Sequence, residues 1–374
     1  MVGTPTSFST SDVQTRKVWS ERMLYDSISD ENMVGQLVKD GTLIRKDDLS
    51  KTGGMGRGDE VKYHFLNRLS SKGLVGMQSA TGNEQSLTYY QDTVLINQVR
   101  EVVKNPNKGS IDQQRVTFNL EEDTYQVLKN WFVERMTVSA INQLTGNTAT
   151  SLAYDGQTYS SDERLVLTGL NAAVAPAGTG RIVRPNGLTT DQAVNGDTTA
   201  TMKFSLIDSM IDGARTNRPY ITPFDGAVKF KMYVHINTFR QLWQDTTSPF
   251  QYRDFVYNKL AGGVNDAQLE GEFIDYNMTR IIATDKMPYG VHSSSAAQQT
   301  NTRRSMLVGK NAGAIAFGQG YAGGSTPTAG FSFEQDFEDV NLYKRTAIVG
   351  VYGIAKAQFN SIDNGVIVST TYVA

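Results

Sequence analysis

The sequence predicts an α+β fold, and three observations support that prediction. Segment 120–144 has the apolar spacing of one long helix. Several other runs, such as "AVKFKMYVH" (227–235) and "NGVIVSTTYV" (364–373), have the β-branched and aromatic content of strands. Helical and strand segments do not alternate regularly, so the sequence does not favour the parallel α/β fold of many enzymes.

The composition is that of a globular protein with a sizeable core. Of 374 residues, 39% are hydrophobic and 20% are charged, which suffices for one large domain or two to three ordinary ones. The formal net charge is −2, whereas a protein that coats nucleic acid carries surplus Lys and Arg.

Three further absences restrict the class of protein. The sequence has no cysteine, which excludes disulfides, thiolate catalysis and Cys-ligated metals. No apolar run approaches the ~20 residues that span a bilayer. The polar N-terminus lacks the apolar region of a secretory signal, so we expect the protein to stay in the cytoplasm in which it is made.

The N-terminal quarter predicts an extended arm, a helix and a long hairpin. The arm covers residues 1–16, the helix 16–38, and a Gly-rich connector follows to residue 60. The hairpin legs are "EVKYHFLNRL" (60–69) and "LTYYQDTVLINQVREVV" (87–103), joined by "GLVGMQSATGNEQS" (73–86).

A two-stranded ribbon is marginal alone in water and leaves its edges unpaired. Its first leg places Val61, Tyr63 and Phe65 on one face. The residues alone leave two alternatives: the hairpin joins a sheet of its own domain, or it extends onto a neighbouring copy.

The long helix has the clearest signals at its ends. Asn119 is a suitable N-cap, Glu122 completes a capping box, and Gly146 is a natural C-terminal stop. From Leu120 to Leu144 it is ~36 Å long. The centre of its buried stripe is predicted to be Leu128, Trp131, Phe132 and Met136.

The rest of the chain is mixed. Segment 145–201 is rich in Thr, Gly, Ala, Asn and Asp, which indicates a surface insertion of turns and short strands. After it we expect helices at 203–215, 236–245 and 249–261, strands at 227–235, 278–285, 304–309, 343–359 and 364–373, and a small helix or turn at 311–320.

Candidate chemical sites are weak. His64, His235 and His292 lack metal-ligand spacing and an evident orienting partner. "GGMGRG" (53–58) lacks the strand before and helix after it that a phosphate loop needs, so a flexible hinge is favoured. "EQDFED" (334–339) indicates a solvated acidic loop or a charged interface edge rather than a cation site, and Arg303 and Arg304 indicate a solvated strand entry. No catalytic, cofactor-binding or metal-binding residue is predicted.

Several stretches, taken in order, resemble a known family. They are "RKVWSERMLYDSI", "GDEVKYHFLNRLSSKGLVG", "GNEQSLTYYQDTVLINQVREVV", "QRVTFNLEEDTYQVLKNWFVERM", "GAVKFKMYVHINTFRQLWQD", "SMLVGKNAGAIAFGQG" and "GVYGIAKAQFNSIDNGVIVSTTY". They resemble the major capsid proteins of tailed bacteriophages with the Hong Kong 97-type fold, in particular a group from short-tailed phages. The resemblance covers nearly the whole chain except 145–201.

The resemblance implies a division of the chain. It comprises an N-terminal arm and helix (1–56), an extended E-loop hairpin (57–105), a P-domain (106–222) with the spine helix (120–144) and the insertion, an A-domain (223–340), and strands that return to the P-domain (341–374). The E-loop tip is then expected to contact the adjacent subunit through Gly73, Leu74, Val75, Gly76, Met77, Gly82, Asn83 and Glu84.

The implied function is structural. Copies would form pentamers and hexamers of an icosahedral head around double-stranded DNA, which they contact weakly. Implied partners are a scaffolding protein, a portal protein and a decoration protein, with the capsid assembled in the host cytoplasm and no membrane contact.

Some relatives cross-link covalently through an E-loop lysine; Lys72 lies near the tip, but we expect non-covalent assembly. The alternatives are an encapsulin-like compartment of the same fold and a hydrolase using His235.

Overall fold

The computed structural model describes residues 33–46, 58–66, 69, 71–108, 110, 120–178, 180–245, 273–318 and 331–373. The helices in these ranges are α1 (Met33–Lys39), α2 (Leu120–Thr145), α3 (Asp191–Gly196), α4 (Phe204–Thr216) and α5 (Ile236–Gln244), with 3₁₀ turns at Ser161–Leu167 and Pro185–Gly187. None of these helices is long and apolar enough to cross a bilayer.

The strands are β1 (Leu43–Lys46), β2 (Glu60–Leu66), β3 (Tyr89–Leu95), β4 (Asn97–Pro106), β5 (Ser151–Tyr154), β6 (Gln157–Ser160), β7 (Ile182–Val183), β8 (Phe230–His235), β9 (Phe273–Tyr276), β10 (Thr279–Thr284), β11 (Gly290–Val291), β12 (Gln298–Gln299), β13 (Thr302–Val308), β14 (Gly313–Phe317), β15 (Phe331–Glu338), β16 (Tyr343–Lys356), β17 (Gln358–Phe359), β18 (Ile362–Asp363) and β19 (Val366–Tyr372).

Two mixed sheets organise the subunit. The first, which we call the long sheet, has the order β1-β14-β16-β15, and β4 also pairs with the 14-residue strand β16. The second has the order β7-β19-β13-β8-β10-β9. Strands β14 and β15, which fall in the segment expected to form the A-domain, lie in the same sheet as β4 and β16.

Helix α2 packs against the long sheet and confirms the predicted long helix. Leu128, Phe132 and Met136 are each 1% exposed and belong to the main core, together with Ile348 and Tyr352 of β16. Trp131 packs against this core but is only partly buried. A second core lies between the other sheet and helices α4 and α5.

Gly146 ends α2 as predicted. Its φ is +65°, and a Cβ there would lie 2.4 Å from the carbonyl oxygen of Val174. Only glycine fits both the left-handed conformation and this close approach.

Three expectations are wrong. Segment 311–320 contains the buried strand β14 rather than the expected small helix or turn, because pairing with β1 and β16 overrides the propensity of its alanines. Residues 334–338 belong to β15 rather than to a loop. Segment 145–201 forms short elements, but it is no surface insertion, since Thr168, Asn171, Arg181 and Asp191 are buried.

Some expectations lie outside the described residues. They are the arm at 1–16, most of the helix at 16–38, the connector with residues 53–57, the N-cap Asn119 and the helix at 249–261.

Candidate assembly surface

The hairpin of β2 and β3 is anchored to its own subunit at its root, which we define as residues 59–63 and 92–96. Val61, Tyr63 and Val94 are buried there. They pack against four alanines of the long sheet. Two of these belong to β14, one to β16, and one directly follows β16: Ala314, Ala316, Ala355 and Ala357. Val61, Tyr63 and Phe65 therefore share one face of the first leg, as predicted, and this face packs against its own chain.

Polar contacts strengthen the root. Asp92 Oδ2 accepts a hydrogen bond from the Tyr63 hydroxyl at 3.1 Å and another from the backbone N–H of Gln358 at 2.9 Å. Burial and the nearby Asp92 carboxylate raise the pKa of Tyr63 above its ordinary value. The phenol thus stays protonated at neutral pH and donates, which joins both legs to β17.

The second leg is not one strand. It divides at Ile96 into β3, which pairs with β2, and β4, which pairs with β16 over residues 97–106. The expectation of a single second leg over 87–103 is wrong, because half of that leg belongs to the long sheet of its own subunit.

The tip of the hairpin, residues 71–89, is exposed at every position. Val75 is 77% exposed and Met77 fully so. Leu74, Leu87 and Tyr89 are large apolar side chains that are also exposed. Single exposed apolar residues are ordinary, but several on one projecting loop indicate a surface that a partner covers.

The tip is a series of turns held by its own polar groups. Gly73, Gly76 and Gly82 have φ of +74°, +63° and +87°, which favours glycine. Asn83 donates through Nδ2 to the Ser79 carbonyl at 2.9 Å. All the residues expected to contact a neighbour lie in this exposed tip: Gly73, Leu74, Val75, Gly76, Met77, Gly82, Asn83 and Glu84. That contact itself stays a prediction.

A second apolar projection follows the acidic segment 334–339 and is not evident from the acidic composition of that segment. The turn between β15 and β16 carries Val340, which is 99% exposed, and the exposed Leu342. Asp339, Val340 and Asn341 all have positive φ, which is unusual for a β-branched residue. An apolar pair in a turn between two strand patterns is the signal that would have found it.

The three histidines have structural roles or lie on the surface. His235 Nδ1 accepts from the Asn237 backbone N–H at 3.2 Å and so caps α5. His292 Nδ1 accepts from the backbone N–H groups of Ser294 and Ser295. His64 is exposed on β2. In the part of the chain that the structure describes, no three His, Asp or Glu side chains are grouped as metal ligands.

The partner of His235 was not evident from the sequence. Burial, and after it the Arg303 charge, lower the pKa of His235 to about 4 against the opposing effect of Asp285. The cap therefore uses the neutral imidazole, whose Nδ1 accepts.

Arg303 and Arg304 are not the solvated residues that the sequence indicated. The Arg303 guanidinium stacks 3.7 Å from the centre of the Tyr289 ring. Arg304 is 4% exposed and pairs with Asp191. Both arginines stabilise the subunit interior.

Comparison with known proteins gives a family and a fold. The profile of the family described as "Phage capsid protein" matches residues 8–374. Among solved structures, the capsid of Ralstonia phage GP4 has a TM-score of 0.68 at 19% identity, covering 90% of this chain and 89% of that one. The cyanophage Pam1 capsid asymmetric unit has a TM-score of 0.64 at 18% identity, covering 89% and 88%.

The head structure of Helicobacter pylori bacteriophage KHP40 is also similar, with a TM-score of 0.57 at 12% identity, covering 89% of this chain and 88% of that one. No curated protein sequence matches the chain. The similarity confirms the predicted Hong Kong 97-type fold.

Proposed function

Because this chain belongs to the phage capsid protein family and is a structural protein of the virion, we propose that its copies form pentamers and hexamers that close into an icosahedral head around double-stranded DNA. The observation that carries this proposal is the exposed apolar tip at residues 71–89. In the proposed shell the tip lies on the adjacent subunit, and its apolar side chains are buried in that contact.

The root and the tip of the hairpin then have different roles. The root is packed into the subunit through Val61, Tyr63 and Val94, and the tip supplies the contact between subunits. Several modest contacts per copy add up to a stable shell because each subunit is held by several neighbours at once. The turn with Val340 and Leu342 provides a second apolar contact of this kind.

The division into arm, E-loop, P-domain and A-domain given above belongs to this proposal. So do the partners: scaffolding protein during assembly, a portal, a decoration protein, and DNA held by weak contact. A net charge of −2 supports weak contact, since tight binding to phosphates needs surplus cations. Assembly takes place in the host cytoplasm.

We propose that the shell is non-covalent. Lys72 is exposed in the tip, as an ordinary solvated lysine is. Denaturing electrophoresis of purified particles should therefore give a single band at the subunit mass of 41.2 kDa. A ladder of multiples that disappears in Lys72→Arg would contradict this part of the proposal.

The decisive experiment is electron microscopy of the protein expressed with and without its scaffolding protein. Closed icosahedral shells are expected with scaffold. The ratio of absorbance at 260 to 280 nm in particles from infected cells identifies DNA as the content. Particles filled with protein instead would favour the encapsulin-like alternative, and chains that stay at 41.2 kDa under all conditions would overturn the proposal.

A further inference from the structure

The chain passes from the hairpin to the long sheet within one residue. Leu95 ends β3, opposite Glu60, and Asn97 begins β4, opposite Tyr352. Between them, Ile96 donates its backbone N–H to the Asp59 carbonyl at 2.8 Å. Any change in the direction of the hairpin relative to the subunit must therefore rotate the backbone beside Leu95.

One side chain holds the backbone at this point. The Leu95 N–H donates to Asn171 Oδ1 at 2.9 Å, and Asn171 Nδ2 donates to the Leu95 carbonyl at 2.9 Å. The amide thus satisfies both backbone groups of Leu95, as a neighbouring strand does. Nδ2 also donates to the Gly169 carbonyl at 3.0 Å, which fixes the amide orientation.

Asn171 is itself held by the body of the subunit. The backbone carbonyl of Asn171 accepts a hydrogen bond from Gln143 Nε2 of α2 at 2.8 Å and another from Thr168 Oγ1 at 2.9 Å. The Gly169 carbonyl accepts from the backbone N–H of Ile354 in β16. A continuous series of hydrogen bonds therefore links the long helix and the long sheet to the hairpin root.

Gly353 confines the same carbonyl from the other side. A Cβ at Gly353 would lie 1.9 Å from the Leu95 oxygen and 3.2 Å from Asn171 Nδ2. The Leu95 carbonyl thus lies between the β16 backbone and the Asn171 amide, with no space to rotate while both are in place.

We propose that Asn171 is the positioning residue that sets the direction in which the hairpin leaves the subunit, and that this direction determines whether copies join. The second clause rests on the proposed function. Strand β3 has seven residues and spans roughly 23 Å. A rotation of about 10° at Leu95 would move the tip by about 4 Å, as much as a whole apolar contact distance.

The direction is measurable by double electron–electron resonance. The sequence has no cysteine, so spin labels attach only at introduced ones. Ser79 in the tip and Gln126 on the solvent side of α2 are exposed and suit this purpose. The test variant is Asn171→Leu, which keeps the branched shape and removes both hydrogen bonds to Leu95 and the one to Gly169. The control is Asn107→Leu, which removes the bond from Asn107 Nδ2 to the Asn341 carbonyl at the other end of β4.

We expect a single narrow distance distribution in the labelled parent and in Asn107→Leu, and a broader or displaced one in Asn171→Leu. The circular dichroism spectrum should be unchanged, whereas the yield of closed shells should fall at least tenfold. If Asn171→Leu does not fold, Asn171→Ala replaces it.

An unchanged distance distribution in a folded Asn171 variant would overturn the proposal. So would a changed distribution together with a normal yield of shells, or failure of both variants to fold, which would make Asn171 a folding residue. If the parent forms no shells, it is the proposed function that fails, while the distance comparison still decides whether Asn171 positions the hairpin.

Discussion

Arg304 and Asp191 form a buried ion pair, with Nη2 and Oδ2 2.8 Å apart and side chains 5% and 1% exposed. Arg304 lies in β13, and Asp191 is the first residue of α3 in segment 145–201. The same guanidinium donates to the carbonyls of Thr145 and Gly146 at the C-terminal end of α2, where the helix dipole favours a cation. One side chain therefore joins β13, helix α3 of segment 145–201 and the C-terminal end of α2.

Removing the carboxylate from this cluster should destabilise the subunit strongly. Burial alone would raise the pKa of Asp191, but Arg304 and Arg184 outweigh burial and hold it below its ordinary value. Asp191→Ala leaves Arg304 buried without its counter-charge, so we expect the free energy of unfolding to fall by about 3–5 kcal/mol. Urea denaturation measures this loss.

The control for that prediction is Asp197→Ala in the same segment. Asp197 is partly exposed and accepts hydrogen bonds from Thr199 and Asn186, so its loss should change stability far less. Equal effects of the two substitutions would show that the buried pair has no special weight.

The His235 cap should make the subunit sensitive to acid. Its folded pKa is about 4 against an ordinary value of 6.5, so between these values the unfolded chain binds more protons. Its contribution to stability is complete above pH 6.5 and decreases as the pH falls toward 4. His235→Asn keeps a capping side chain that does not titrate, so melting temperature should vary less with pH in this window.

The matched variant is His64→Asn, on the exposed face of β2. It should leave the pH dependence of melting as it is in the parent. If His64→Asn and His235→Asn have the same effect, the cap does not account for the acid sensitivity.

Burial within α2 distinguishes two neighbouring aromatic residues. Phe132 is 1% exposed, lies edge-on to Tyr352 and fills the space that Gly350 leaves free. Phe132→Ala should cost about 3–5 kcal/mol of stability and give insoluble subunits. Trp131 is only partly buried, so Trp131→Ala should be milder, although still more harmful than His235→Asn. Soluble yield and thermal melting of the variants, compared side by side, test this order.

Deleting residues 73–86 should leave the subunit folded and prevent shell closure. The deleted residues are all exposed and lie beyond the packed root, so the far-ultraviolet spectrum and the melting temperature should change little. Electron microscopy should show no closed shells. Unfolding on deletion would mean that the segment belongs to the core of its own subunit.

The apolar character of the tip can be tested without shortening it. Val75→Asp and Met77→Asp place a charge where the proposed contact needs burial, so shell yield should fall sharply with no loss of monomer stability. Ser79→Asp adds the same charge at an exposed polar position nearby and should have a smaller effect. Equal yields from all three would argue that these apolar side chains stay in water in the assembled particle.

The sequence predicted the elements whose signals are local. Helix α2 follows from apolar residues at helical spacing and from the stop at Gly146, and β8 and β19 follow from the β-branched and aromatic content of their segments. The exposed tip follows from a Gly- and Ser-rich stretch between two strand patterns. The ordered resemblance over most of the chain added the fold, which the residues alone had left open.

Only the tertiary structure decided the contacts between distant segments. Leu95 and Asn171 are 76 positions apart, and Arg304 and Asp191 are 113 apart. From the sequence alone, a polar residue is expected at the surface, because its burial is stable only where hydrogen bonds within the protein replace those to water. The residues that supply these hydrogen bonds are distant in the sequence. The division of the second hairpin leg at Ile96, the strand at 313–317 and the buried role of 168–191 all depend on such partners, so local sequence patterns did not reveal them.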